Sequence, residues 1–421
     1  MPDGTSFIHE LPLTGGLVQR LYDCASIQRW NDQVRPMEFT ELDKQAHKMI
    51  IAYVLARFED DDDPDNPIDW IKLLEGGIFE LLHRVILTDI KPPVFHKMME
   101  EKGDELNRWV LDNLKHEIGK VKGGFADRFE RYLFDEAYSR REKRVLKAAH
   151  YLATQWEFNI IYKVCPFVYG IESIKGGIED QIEDHYDLVG VQKISLGRKT
   201  SGFVDLCGQL RFQRRWSQSY RVPETSVLGH MLIVAFLSYL CMRELDACDR
   251  RVYNAFFGGL FHDLPEVLTR DITSPVKNAV EGLEEIIKEY ERRQLEEKLL
   301  PLLPSHWRAE LVYFTGDEFA NRAVIDGKVR NDLTVEDLCG RYNTDGANAV
   351  DGETIRCCDH LAAFIEASLS IQSGLTSRHL EEGIERLLAQ YRGRVTAGIP
   401  WGDLFNYYTP PGHQPELPNL V

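Results

Sequence analysis

Apolar residues recur every three or four positions through most of the chain. The pattern is clear in DKQAHKMIIAYVLARFE (43–59), HMLIVAFLSYLCMREL (230–245), VEGLEEIIKEYERRQLEEKLL (280–300) and RCCDHLAAFIEASLSI (356–371). That spacing stacks apolar side chains on one helical face, so it predicts an all-α fold. The best strand candidate is DLVGVQKISLG (187–197), which falls between two helical halves. The acidic run FEDDDDPDNPIDW (58–70) reads as a solvated loop closed by prolines. After Gly398 the density of proline and aromatic residues predicts irregular surface chain.

The pattern also repeats. GGIFELLHRVILTDIKPPV from Gly76 and GGLFHDLPEVLTRDITSPV from Gly258 share nine of nineteen positions at a constant offset of 182. Arg29-Trp30 precedes His47 as Arg215-Trp216 precedes His230. LKAAHYLATQWE closes the first half as RCCDHLAAFIE closes the second. The expected organisation is a helical unit over 1–170, a short irregular or β-containing connector over 171–199, a second unit over 200–393 and a tail over 394–421. The two units are expected to pack as a pseudo-dimer.

In the second unit four polar groups stand beside apolar helices: His230, the adjacent His262 and Asp263, and Asp359. Two imidazoles and two carboxylates suit a divalent cation and leave positions for water. Buried aspartates in such runs need a cation or a partner. Taken singly, each residue reads equally as a capped or hydrogen-bonded core group, and chemistry alone leaves both readings open. Pro265 fits a break that would turn His262 and Asp263 toward one point.

Composition narrows the classes. The chain has 421 residues, 43% apolar and 28% charged, enough for two or three cores. Its net charge of −17 disfavours a long polyanion but permits a small phosphorylated ligand in a locally basic pocket. Eight cysteines without a CxxC pair read as reduced thiols, not a disulfide framework. No apolar run reads as long enough to span a bilayer, and the N-terminal residues lack a signal-peptide pattern, so the expectation is a cytoplasmic protein with no membrane partner.

The order His230…His262-Asp263…Asp359 resembles the HD-domain superfamily of metal-dependent phosphohydrolases. HDLPEVLTRDITSPVK (262–277), with Arg215-Trp216 ahead of His230, resembles its 5′-deoxynucleotidase branch more closely. The resemblance covers roughly residues 202–370. It implies one divalent ion (Mn, Co, Fe, Ni, Zn or Mg) held by His230, His262, Asp263 and Asp359. It implies Glu266 as the group that orients or deprotonates water, and Arg215 as the phosphate contact. Trp216 would lie near the sugar and favour the 2′-deoxy form, and Asp271 would bind the sugar hydroxyl. Gly229 departs from the family, which often has an acidic residue there. Only His306 lies between Asp263 and Asp359 as a further histidine, which favours one metal over two.

In the first unit Glu80 and Leu81 stand at the positions of His262 and Asp263, Arg84 at Glu266, His150 at Asp359 and His47 at His230. An aliphatic group cannot hold a cation, so this unit is expected to be inactive. A rearranged site from His47, Glu80, His83 and His150 is the rival reading. Branch relatives tend to be homodimers, so a degenerate unit could replace the partner, leaving the chain a monomer or homodimer. It could also bind an effector nucleotide through Arg29, Trp30 and Arg84. The expected reaction is hydrolysis of a nucleoside 5′-monophosphate. The alternatives are a dNTP triphosphohydrolase, a phosphodiesterase on a signalling nucleotide, and a nucleotide-sensing regulator.

Overall fold

The computed structural model describes residues 8–270 and 280–413. Its helices, in chain order, are α1 Gly16–Ser26, α2 Glu41–Asp62, α3 Trp70–Leu87, α4 Pro92–Ile118, α5 Phe125–Phe134 and α6 Arg140–Val164. There follow α7 Ile171–Glu183, α8 Val189–Ser195, α9 Lys199–Gln209, α10 Val227–Glu244, α11 Asp249–Phe261 and α12 Leu283–Gln294. The last are α13 Arg308–Thr315, α14 Val335–Cys339, α15 Gly352–Gln372, α16 Arg378–Tyr391 and α17 Trp401–Tyr408. Two small antiparallel sheets accompany them among the described residues: Gln28–Arg29 with Phe39–Thr40, and Asn321–Ile325 between Lys328–Arg330 and Val350–Asp351. The fold is all-α.

Helix α10 is the spine. Every residue from Val227 to Met242 is buried, because α10 packs against α11, α15 and α2 at once. It has the length and apolar composition of a membrane span, contrary to the expectation that no such run exists. Here, however, 89% of that window is covered by protein. Gly259 lets α11 lie directly on α10, since a Cβ there would stand 2.9 Å from Ala235 Cα.

The two halves share local geometry at an offset of 186. Trp30 and Trp216 both take φ 56°. Gln28 pairs with Thr40, and Arg214 bridges to Ser226. Thr40 caps α2 by accepting from Asp43 N at 3.2 Å, and Ser226 caps α10 by accepting from Gly229 N at 3.0 Å.

Three local expectations are corrected. Residues 189–195 are helix, not strand: Leu188 and Val191 are buried at a spacing of three, and Gly190 lets α8 sit against Leu55. The connector is therefore largely helical, in α7 and α8. The tail is not all irregular, because α17 buries Trp401, Leu404 and Phe405, and Phe405 stacks on Tyr391 at 4.2 Å. The acidic run is only partly solvated. Helix α2 continues through Asp62, Asp60 accepts from Trp70 Nε1 (2.9 Å), and Asp61 accepts from Trp307 Nε1 (2.9 Å).

Candidate metal centre and substrate cleft

His230 lies in the first turn of α10, its N–H bonded to Ser226 O at 3.0 Å. Helix α11 ends at Phe261, and the chain passes through His262 and Asp263 into a short 3₁₀ turn, Leu264–Leu268, that carries Pro265 and Glu266. The ligating atoms of His230, His262 and Asp263 come within 4.8 Å of one another. Asp359, on α15, places Oδ1 2.8 Å from His230 Nε2. Arg215 spans the acidic side, its guanidinium 3.7 Å from both Asp263 and Asp359. All four expected ligands and Arg215 thus converge. Glu266 is buried close by, and its carbonyl accepts from Gln213 Nε2 at 3.0 Å. Asp271 lies outside the described residues. His306 is elsewhere, 2.8 Å from Asp61.

The donor set fits a divalent cation. His262 Nδ1 meets Gly259 O at 2.8 Å and His230 Nδ1 meets Glu366 Oε1 at 3.3 Å. Each imidazole thus has one nitrogen committed to an acceptor and presents Nε2 to the cluster, the arrangement a metal-binding histidine needs. His262 Nε2 lies 3.1 Å from Asp263 Oδ2, inside the cluster. Burial opposes a charged imidazole at His262, but Asp263 and Asp359 outweigh it and push its pKa up to about 9. Burial likewise opposes a charged Asp263, yet His262 and Arg215 bring it down to about 2. A compact negative centre is being neutralised by whatever cations are near.

Glu366, absent from the sequence expectations, faces the cluster through His230. It lies seven residues after Asp359, on the same helical face. It accepts from Trp216 Nε1 (3.0 Å) and Thr225 (2.8 Å) as well as facing His230. Burial raises its pKa, but Arg221 and His230 hold it well below the usual carboxylate range. The signal was present, since Glu157 stands seven residues after His150 and accepts from Trp30 Nε1 at 2.8 Å.

The cluster opens into a cleft of about 970 Å³ that Arg215, Trp216, Glu266 and Phe319 also line. Arg356 and His360 from α15, with His379 and Arg386 from α16, line the same cleft together with the carboxylates of Glu284, Asp317, Glu318 and Glu382.

Residues 207–388 match a family model described as HD domain. This stretch is an HD domain. A 5′-deoxynucleotidase of Vibrio atlanticus (strain LGP32) is 28% identical over 127 residues, 30% of this chain and 65% of that protein. A 5′-deoxynucleotidase of Pasteurella multocida (strain Pm70) is 26% identical over 130 residues, 29% of this chain and 64% of that protein. The matched stretch therefore covers a little under two thirds of each relative's length. No solved structure matches the chain significantly.

Outside the HD domain, the N-terminal half places other chemistry at the corresponding positions. Counted from the helix caps, Lys44 and not His47 corresponds to His230, each four residues after its cap. His47 points away, to Val204 O at 2.9 Å. Lys44 Nζ contacts His150 Nδ1, and Lys48 Nζ pairs with Glu80 Oε2 at 2.9 Å. His83 bonds Asn107 at 3.0 Å. The rival set of His47, Glu80, His83 and His150 is therefore not brought together. Arg29 is bound to Glu157 and Glu41, and Arg84 to Asp89 at 3.1 Å, so the cations considered for an effector are engaged internally.

Proposed function

We propose that the chain is a metal-dependent phosphohydrolase that releases the 5′-phosphate of a nucleoside monophosphate, with a 2′-deoxy sugar preferred. The observation that carries this reading is the convergence of His230, His262, Asp263 and Asp359 beneath Arg215 in one cleft. The printed names of the two relatives of the HD domain support the substrate class.

His230, His262, Asp263 and Asp359 would hold one divalent ion. When bound, it would make hydroxide available near neutral pH and offset charge on the phosphate. The remaining work falls to the chain. Arg215 offers a guanidinium fork to the phosphate, geometry suited to oxyanions. Glu266 takes the proton from the attacking water, a role suited to a buried carboxylate beside the cluster. The Trp216 ring, its N–H tied to Glu366, presents a fixed shape where the sugar would lie. Exclusion of one hydroxyl by shape is a modest discriminator, about a hundredfold. Asp271 would bind the sugar hydroxyl.

A second reading has a specific support. Arg356 and Arg386 add cations to the cleft beyond Arg215. A nucleoside triphosphate would use them for its outer phosphates. The product decides between the two: inorganic phosphate from a monophosphate, triphosphate from the longer substrate. The test is a panel of dNMPs, NMPs and dNTPs with Mn, Co, Mg or Zn added. Asp263→Ala is expected to lose at least a hundredfold in kcat/KM, about 2.7 kcal/mol of transition-state stabilisation. Undiminished turnover in that variant would remove the proposed centre.

A further inference from the structure

Gly229 sits beside His230, and the space a side chain would need there is taken by two residues from the other half of the protein. A Cβ at Gly229 would stand 2.9 Å from Asp43 Oδ1 and 2.9 Å from Leu42 Cδ2, both on α2. Asp43 is 6% exposed, so its carboxylate is enclosed between α2 and α10. Its Oδ1 accepts from Ser226 Oγ at 2.5 Å, and Ser226 Oγ in turn accepts from Gly229 N at 3.0 Å. The carbonyl of the same serine receives the His230 N–H at 3.0 Å. A hydrogen-bonded line thus runs from α2, through the cap of α10, to the backbone of His230. By the cap register Asp43 and Gly229 are equivalent positions, each third after its cap. Where the two helix starts meet, one carboxylate fills a space that has no room for two.

A second contact points the same way. Tyr22 OH, on α1, donates to Ala362 O at 3.0 Å, three residues past Asp359 on α15. Both helices that carry single members of the cluster are therefore hydrogen-bonded by the N-terminal half.

We propose that Asp43 is a positioning residue for the metal centre, acting through Ser226 on the first turn of α10 and so on His230. This inference rests on the proposed metal site. The polarised Ser226 hydroxyl is a stronger acceptor for the free N–H of the first turn, and the carboxylate favours a helix N-terminus. Residues that hold metal ligands in place typically change affinity by tenfold or more when removed.

The experiment uses the full-length protein, freed of metal and titrated with Mn²⁺ by calorimetry. Asp43→Ala is expected to weaken binding about tenfold, with kcat recovering at saturating Mn²⁺. Asp43→Asn, which keeps an acceptor oxygen, is expected to bind nearly as well as the parent. Ser226→Ala should weaken binding about as much, and the double variant should lose no more than either single one, because the two act in one line. Unchanged affinity in Asp43→Ala, or full additivity in the double variant, overturns the proposal. If Asp43→Ala does not fold, Ser226→Ala carries the test, and unchanged affinity there overturns it. A parent protein that binds no Mn²⁺, Co²⁺ or Zn²⁺ sinks the metal-site reading itself, a separate outcome.

Discussion

At the scale of single residues, the two halves solve the same electrostatic problem with different cations. In the HD domain, carboxylates of Asp263 and Asp359 crowd two histidines and an arginine. In the N-terminal half the cationic groups are built in. Lys48 has a fully buried side chain whose ammonium pairs with Glu80, and Tyr132 OH donates to the other Glu80 oxygen at 2.7 Å. Burial opposes a charged Glu80, yet Lys48 holds its pKa below the usual value. Removing one member of such a pair strands the other charge away from water. Glu80→Ala is therefore expected to destabilise the protein by about 3 kcal/mol in urea unfolding. Replacing both, as Lys48→Met with Glu80→Leu, should cost far less, because no charge is left behind. Equal losses in the single and double variants would contradict an ion pair that matters through its stranded partner.

At the scale of elements, the site depends on how closely α11 can approach α10. Gly259 faces the backbone of Ala235, which cannot yield as a flexible side chain would: an added Cβ meets Ala235 N at 3.0 Å and Val234 C at 3.2 Å. Gly259→Ala should push α11 outward and cost about 1–3 kcal/mol, as overpacked cores do. It should also separate His262 from His230 and weaken metal binding. Gly176 in α7 is the control, since a Cβ there meets nothing within 4 Å. Gly176→Ala should be neutral or gain up to about 1 kcal/mol from helix propensity. Thermal midpoints of the two variants check both signs.

The same elements show what the sequence could and could not disclose. The helical period and the positions of His230, His262, Asp263 and Asp359 were legible because period and motif are local properties. Residues 189–195 were misread because Val189, Val191 and Ile194 favour strands intrinsically, and only packing under α2 makes them helix. The partnership of Asp43 with Gly229 was invisible, since it joins positions 186 apart that no local pattern links. The equivalence of His47 with His230 failed for a related reason: a histidine is a conspicuous letter, whereas the helix cap sets the register.

At the scale of the whole molecule, His47 reports on the contact between the halves. Its Nε2 lies 2.9 Å from Val204 O on α9, its ring meets Trp156 edge-on at 5.2 Å, and Arg211 Nη2 approaches Nδ1 at 3.4 Å. Burial first, and Arg211 second, push its pKa down to about 3. An unfolded chain returns the imidazole to about 6.5. Between those values the unfolded state binds the extra proton, so His47 contributes stability that is fully present above about pH 6.5 and is lost as pH falls toward 3. The slope from this one group reaches at most about 1.4 kcal/mol per pH unit. His47→Gln keeps a donor for Val204 O and has no proton to gain. Urea midpoints measured from pH 7.5 down to 4.5, with a chelator present throughout, should therefore fall less steeply in His47→Gln than in the parent. The difference, parent minus variant, should decrease with acidification, whatever its value at pH 7.5. Parallel curves would mean that the proton enters the folded protein without disturbing the contact. The N-terminal half would then lean on the HD domain through groups other than His47.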